Sequence, residues 1–182
     1  GLMIAGSSLM NDMSPNRQLL TETLWLYREK VRRFYRELTD YNNGFRPFEI
    51  CRDGFKFKLD DMETVSVQGY GLDMVFEKWP DFAKYLSGGW FEEFVYLQCK
   101  PYEDAGVIQD LRINVKLNLS LEESKGYSSF GVEYIELDIT FTDGYSLYIV
   151  ECKAGNVTQE QLMKLQNLVR FYGGIEGRGI IA

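Results

Sequence analysis

Residues 132–153 read VEYIELDITFTDGYSLYIVECK, and this stretch determines the predicted fold. Two segments in which apolar and polar side chains alternate, 132–141 and 145–153, flank the dipeptide Asp143-Gly144. Alternation of this kind indicates β-strands, and an Asp-Gly pair between two strands is a strong signal for a two-residue hairpin turn. The sequence therefore predicts an antiparallel hairpin.

The predicted hairpin carries four ionisable side chains on one face, Glu136, Asp138, Glu151 and Lys153, because side chains alternate with a period of two. A two-residue turn sets Glu136 opposite Glu151, and diagonal neighbours of such a pair lie about 7–8 Å apart. The carboxylates can therefore lean onto one cation, and purely oxygen ligands favour Mg²⁺ or Mn²⁺. An ordinary solvated face explains the pattern equally well.

Regular elements on both sides of the hairpin give an α/β pattern. A helix is predicted from Trp90 to about Cys99, and an alternating strand follows over 111–119. After the hairpin, Thr158 begins a second helix with a capping box, and Gly179-Ile180-Ile181 begins a further strand. The predicted order is helix, three strands, helix, strand.

Residues 14–79 predict a small helical and hairpin appendage at the amino terminus, with a winged helix as one form it can take. Its helix begins at Ser14-Pro15 and is expected to end at Asn42-Asn43-Gly44. A hairpin follows over Phe48–Cys51 and Phe55–Leu59, with a short strand at Thr64–Val67. Residues 1–13 are expected to be a flexible or artificial leader, and Ser87-Gly88-Gly89 is expected to break a short helix at 81–86.

The composition excludes several classes of chemistry. The chain has 182 residues and no histidine, which removes Ser-His-Asp and Cys-His catalysis and histidine-bound zinc. Its three cysteines form no CxxC pair, which fits a reducing cytoplasm better than a disulfide framework. The net charge is −7, and residues 59–151 hold 18 acidic and 6 basic side chains. That balance argues against a simple nucleic-acid-coating protein, although carboxylates that hold cations are compatible with it.

The motif residues resemble the PD-(D/E)xK nuclease superfamily. Asp138 followed by Glu151-Cys152-Lys153 on the next strand is similar to its D…E-x-K signature. More specifically, the segments GGWFEEFV (88–95), IELD (135–138) and YIVECK (148–153) are similar to the nuclease domain of CRISPR-associated ancillary nucleases. Those enzymes carry a CARF domain and are activated by cyclic oligoadenylate. The resemblance implies a restriction-endonuclease-like core over residues 80–182.

The resemblance also implies roles for individual side chains. Glu92, Asp138 and Glu151 are the implied ligands of Mg²⁺ or Mn²⁺, and Lys153 is the implied catalytic lysine that assists the attacking water or the transition state. Helix geometry favours Glu92 over Glu93, because a core stripe on Phe91, Phe94 and Val95 leaves position 93 nearer the opposite side. Glu93 is the alternative metal ligand from the same helix. Glu136 either holds a metal-bound water or Lys153 from outside the ligand set, or is an ordinary polar strand residue.

Other side chains are assigned more simply. Lys164, Arg32 and Arg36 are candidate contacts to nucleic acid, with a solvated surface as the alternative. Cys152 is expected to face the core, and Trp90 to anchor packing rather than stack on a base. Ile135 stands where the relatives usually have Asn.

The resulting expectation is a metal-dependent endonuclease in CRISPR-linked antiviral defence that acts on DNA or RNA. A homodimer is expected, without membrane association and with a ligand-sensing domain missing or upstream. Two alternatives remain at this point. The chain is otherwise a non-catalytic nuclease-like interaction module, or a repair or recombination nuclease of the same superfamily.

Overall fold

The computed structural model describes residues 4–8, 13–30, 33, 36–37, 47–60, 64–118 and 134–182. The helices are α1 (Pro15–Leu26), α2 (Trp79–Lys84), α3 (Trp90–Asp104) and α4 (Gln159–Leu168). The strands are β1 (Ile4–Ser8), β2 (Phe48–Arg52), β3 (Phe55–Leu59), β4 (Val65–Gly69), β5 (Leu72–Phe76), β6 (Gln109–Asn118), β7 (Tyr134–Thr142), β8 (Leu147–Glu151) and β9 (Arg178–Ile181). The strands form one sheet in the order β1-β6-β7-β8-β9 and another in the order β2-β3-β4-β5. The predicted α/β order of helix, three strands, helix, strand is confirmed by α3, β6, β7, β8, α4 and β9.

Contacts divide the chain into two compact units, residues 13–94 and residues 95–182 together with 1–12. In the 13–94 unit, α1 begins as predicted, with the Ser14 hydroxyl accepting the amide of Arg17. The helix is interrupted after Leu26, because Tyr27 leaves the helical conformation, and residues 28–30, 33 and 36–37 are helical again. The predicted end at Asn42-Asn43-Gly44 lies outside the described residues. The Tyr27 ring packs against Phe55 and Tyr70 in the neighbouring sheet.

The sheet of the 13–94 unit is a four-stranded antiparallel meander. The predicted hairpin is confirmed as β2 and β3, joined by Asp53-Gly54 with left-handed backbone at both positions. The strand β5 was not predicted. It pairs with β4 across a tight turn at Tyr70-Gly71, which shows the same left-handed conformation. Apolar side chains from α1, the meander and α2 form one buried core that also contains Trp90, which confirms Trp90 as a packing residue.

Residues 79–104 are helical without a break. The predicted break at Ser87-Gly88-Gly89 is wrong, because residues Tyr85–Gly89 form a single π-helical turn between α2 and α3. Glycine accommodates the widened hydrogen bonding of such a turn, which is frequent next to functional residues. Glu92 and Glu93 therefore lie in the first turn of a helix that continues the preceding one.

The five-stranded sheet belongs to the 95–182 unit. Strands β6, β7 and β8 are antiparallel in sequence, and β9 is parallel to β8. Ile4–Ser8 pairs with β6, where the sequence predicts a flexible leader. The capping box of α4 is confirmed, since the Thr158 hydroxyl accepts the amide of Gln161 and the Gln161 side chain accepts the amide of Thr158.

The register of the central hairpin differs from the predicted one by two residues. Thr142 pairs with Leu147, so the connection has four residues rather than two. Asp143 explains the longer turn, because its carboxylate accepts the amides of Tyr145 and Ser146 and so stabilises the extra residues. An even shift exchanges partners without exchanging the faces of the two strands relative to each other. Asp138, rather than Glu136, comes to lie across from Glu151.

Candidate active site

The site lies where β7 and β8 separate. Their pairing runs from Thr142–Leu147 to Ile139–Val150 and ends there. At the next position the Asp138 carboxylate accepts the backbone amide of Cys152 at 2.7 Å. A side-chain oxygen thus takes the place of a strand carbonyl, which holds Asp138 against the strand that carries the E-x-K motif.

Glu151 and Lys153 form an ion pair on that strand. The Lys153 ammonium lies 2.7 Å from a carboxylate oxygen of Glu151. Glu151 is buried, with 6% of its surface exposed, whereas the lysine side chain is 28% exposed. The pair compensates a carboxylate that would be unfavourable in this position by itself. Lys153 also remains accessible from solvent.

Several neighbouring groups act on the pKa of the Asp138 carboxyl. Burial raises the pKa of the Asp138 carboxyl above its usual value, and the negative charge of Glu151 raises it further. The Cys152 amide and the ammonium groups of Lys153 and Lys164 act in the opposite direction. The structure therefore brings the predicted residues Asp138, Glu151 and Lys153 together, and Lys164 is near enough to act on the same carboxyl. Cys152 is a buried free thiol, as expected.

Strict alternation is not maintained along β7. The pairing of Ile139 with Val150 would put Leu137 and Ile149 on opposite faces of a regular sheet. Both nevertheless belong to one buried cluster with Leu165 of α4. The alternation on which the sequence prediction rests would put Leu137 and Ile139 on one face, but Ile139 is not part of that cluster. The regular alternation is therefore interrupted between them, at Asp138. Glu136 lies across from Lys116 of β6 in the strand register.

Glu92 and Glu93 belong to the 13–94 unit, and their surroundings differ from the prediction. Glu93 is buried, with 7% exposure, and Glu92 is half-buried. The buried positions of α3 are Trp90, Glu93 and Tyr96 rather than Phe91, Phe94 and Val95. The helix geometry that placed Glu93 farther from the core is therefore wrong.

A cation from α1 is the reason that Glu93 is buried. The Arg17 guanidinium binds both oxygens of Glu93, at 2.8 Å and 2.9 Å, and the Thr21 hydroxyl donates a further hydrogen bond at 3.0 Å. The guanidinium also stacks on the Tyr85 ring at 3.5 Å. Sequence reasoning missed Arg17, whose only signal is a long cation in the first turn of a helix.

Within the described ranges, no three carboxylate or thiol groups lie close enough together to hold a metal ion. Asp138 and Glu151 supply two sets of hard oxygen donors, which suit a divalent cation such as Mg²⁺ or Mn²⁺. Glu92 stays the predicted third ligand. Arg36 is exposed, and Arg32 lies outside the described residues. No described helix has the length and apolar character needed to cross a bilayer.

Comparison with known proteins places these residues in a family. Residues 81–182 match the model of the Card1-like endonuclease domain. One similar solved structure is Can2 from Sulfobacillus thermosulfidooxidans in complex with cyclic tetra-adenylate, with a TM-score of 0.45, 23% identity, and coverage of 58% of this chain and 30% of Can2. Another is protein VC1899 from Vibrio cholerae, with a TM-score of 0.47, 19% identity, and coverage of 91% of this chain and 42% of that protein. No functionally curated protein is significantly similar in sequence. The chain thus spans less than half the length of either structural relative.

Proposed function

The chain belongs to the Card1-like endonuclease domain family, and on this basis we propose that it is a metal-dependent endonuclease that hydrolyses phosphodiester bonds in nucleic acid. The observation that carries the proposal is the convergence of Asp138, Glu151 and Lys153 at the end of the β7–β8 pairing. All three residues lie inside the segment that matches the family.

Asp138 and Glu151 would hold Mg²⁺ or Mn²⁺, with Glu92 as the proposed third ligand. Such an ion polarises a phosphoryl oxygen and lowers the pKa of a bound water. The partial burial of both carboxylates favours a bound cation, since two neighbouring anions repel each other more strongly away from bulk water. In the protein without metal, burial raises the pKa of Asp138, and the charge of Glu151 adds to this effect.

Lys153 is the proposed catalytic cation of the site. Its ammonium is already within 2.7 Å of Glu151 and partly exposed, so it lies between a buried ligand and the solvent from which substrate arrives. A positive charge there stabilises negative charge that develops on the phosphate in the transition state. Lys164 and Arg36 are proposed to contact the substrate backbone. The net charge of −7 predicts weak binding to nucleic acid, because few cations are available to neutralise phosphates.

The decisive experiment compares nuclease activity of the parent with that of Glu151→Gln, Asp138→Asn and Lys153→Met. Plasmid, single-stranded DNA and RNA substrates are incubated with Mn²⁺ and then with excess EDTA. We expect cleavage in Mn²⁺, none in EDTA, and a loss of about a hundredfold or more in each variant, as removal of a transition-state charge typically causes. Glu160→Gln, an exposed carboxylate in the first turn of α4, serves as a matched control that should retain activity.

Cleavage that persists in EDTA, or in Glu151→Gln, would contradict the proposed site. If the folded parent cuts none of the substrates, the alternative of a non-catalytic interaction module is favoured instead. Circular dichroism of each variant distinguishes lost chemistry from lost structure.

We further propose that the chain acts in CRISPR-linked antiviral defence, as a homodimer in the cytoplasm and under the control of a ligand-sensing domain. The similarity of its motifs to nuclease domains of CRISPR ancillary nucleases supports this proposal, and Can2 itself was solved in complex with cyclic tetra-adenylate. The neighbours of the coding gene test it. A CRISPR locus supports the proposal, whereas a recombination operon favours the repair nuclease.

A further inference from the structure

Asn114 occupies the strand position across from Asp138 on the side away from β8. The β6–β7 register pairs Ile113 with Ile139 and Val115 with Leu137, so Asn114 and Asp138 face each other between these pairs. Neighbouring strands lie about 4.8 Å apart. Asn114 and Asp138 therefore lie on one transverse line that continues to Glu151 on β8.

The backbone of β6 has an unusual conformation at this residue. Asn114 has φ 53 in the middle of a strand, a left-handed conformation that is uncommon for residues other than glycine and is tolerated best by Asn and Asp. Val115 belongs to the buried cluster under α4, whereas Ile113, two residues earlier and equally buried, does not. Residues other than glycine that are held in a left-handed conformation cluster at active sites and ligand-binding sites.

The side chain of Asn114 has the chemistry that the site still lacks. It is half-buried, and within the part of the chain that the structure describes no hydrogen bond engages its carboxamide. A carboxamide oxygen is a hard donor that binds divalent cations without adding charge. Next to Asp138 and Glu151, a neutral oxygen completes a donor set with less repulsion than a further carboxylate.

We infer that Asn114 is a further residue of the metal site, whose carboxamide supplies a neutral oxygen, directly or through one water, to the cation held by Asp138 and Glu151. The inference rests on the proposed function. It explains why an unusual backbone conformation falls at the one position of β6 that faces the catalytic aspartate.

The test measures Mn²⁺ binding to the full chain directly, by titration calorimetry or by the loss of the electron paramagnetic resonance signal of free Mn²⁺. Asn114→Gly removes the carboxamide and keeps the backbone, because glycine adopts φ 53 without strain. We expect Asn114→Gly to raise the Kd for Mn²⁺ by about tenfold, the lower end for loss of a group that supports a metal. Asn114→Asp, which restores an oxygen donor, should bind Mn²⁺ at least as tightly as the parent. Asp110→Gly, which removes an exposed side chain at φ 51 on the same strand, is the matched control and should bind like the parent.

Each outcome separates this inference from the proposed function. If Glu151→Gln loses Mn²⁺ binding while Asn114→Gly binds like the parent, the inference alone is wrong. If Asn114→Asp binds as weakly as Asn114→Gly, the side chain serves only the fold, and the inference is also wrong. If Glu151→Gln binds Mn²⁺ normally, both the proposed metal site and the inference are refuted. Thermal unfolding in EDTA, expected to lie well above the temperature of the binding assay for every variant, shows that the binding differences come from the side chains and not from loss of the fold.

Discussion

Removal of the Arg17 guanidinium should destabilise the 13–94 unit strongly. The change to test is Arg17→Met, which keeps a long apolar side chain and removes only the charged, hydrogen-bonding end. In the parent, that end makes two short contacts with Glu93 and stacks on Tyr85. The variant leaves Glu93 buried with one hydrogen bond from Thr21.

The size of the effect follows from the burial of Glu93. A buried carboxylate that loses its cation costs about 3–5 kcal/mol. The 20% exposure of the Arg17 side chain admits some water and argues for the lower end. We therefore expect a loss of about 3 kcal/mol in the free energy of unfolding. With a urea m-value of about 1.5 kcal/mol/M, this corresponds to a midpoint lower by about 2 M.

Tryptophan fluorescence during urea denaturation measures this loss selectively. All three tryptophans of the chain, Trp25, Trp79 and Trp90, lie in the 13–94 unit, so the signal follows this unit and not the 95–182 unit. Arg33→Met is the matched control, because Arg33 forms an exposed helical pair with Glu37. Such a pair contributes about 0.5 kcal/mol or less.

The double variant Arg17→Met/Glu93→Gln tests the mechanism rather than the size. Neutralising Glu93 removes the uncompensated charge, so the double variant should be about 2 kcal/mol more stable than Arg17→Met alone, within the range of coupling between contacting residues. A loss below about 1 kcal/mol in Arg17→Met would refute the argument. A double variant no more stable than the single one would do the same.

Two further predictions concern Asp138 and a turn in the meander. The raised pKa of Asp138 means that the folded protein without metal binds this proton more tightly than the unfolded chain, so the associated stability is present below about pH 3.8 and is lost as the pH rises through the folded pKa. Asp138→Asn, which stays neutral, should therefore raise the melting temperature in EDTA at pH 7, and this gain should vanish below about pH 3.8. A melting temperature at pH 7 lower than that of the parent would contradict the assignment. Gly69→Ala should lower stability by at least about 3 kcal/mol, since a Cβ there would lie 2.1 Å from the carbonyl oxygen of Gly54. Gly71→Ala, at φ +81 with no atom within 4 Å, should lose only about 1 kcal/mol, and equal losses in urea denaturation followed by tryptophan fluorescence would show that backbone strain rather than the clash decides.

The sequence allowed the hairpin and its acidic residues to be predicted, but not their register. Alternation specifies which residues share a face, whereas the turn specifies which residues are opposite. Asp143 accepts two amides of the loop, and this local bond extends the turn to four residues. Because the observed register differs from the predicted one by two residues, Asp138 and Glu151 stay on neighbouring positions and lie directly across from each other.

Glu93 is a residue whose burial could not be predicted from the sequence. Helical periodicity assigns faces from apolar side chains, so a buried carboxylate is read as a solvent-facing residue. Its burial depends on Arg17, which lies 76 residues earlier in the chain. No local pattern encodes a contact at that separation. The same holds for Asn114, whose left-handed backbone is not visible in an alternating strand sequence.

The geometry of the E-x-K motif explains how two neighbouring acids are accommodated before any cation binds. Alternation points Glu151 and Lys153 the same way, which allows the ammonium to pair with the carboxylate two residues away. Cys152, between them, buries its side chain and directs its amide to Asp138. One tripeptide thus provides a partner for each acid, a side-chain cation for Glu151 and a backbone dipole for Asp138.

A cation that binds here would compete with Lys153 for Glu151. The amide of Cys152, in contrast, occupies only one oxygen of Asp138 and leaves the other as a ligand. A metal ion held by the two carboxylates would therefore free the Lys153 ammonium from its pair, and Lys153 is the proposed catalytic cation.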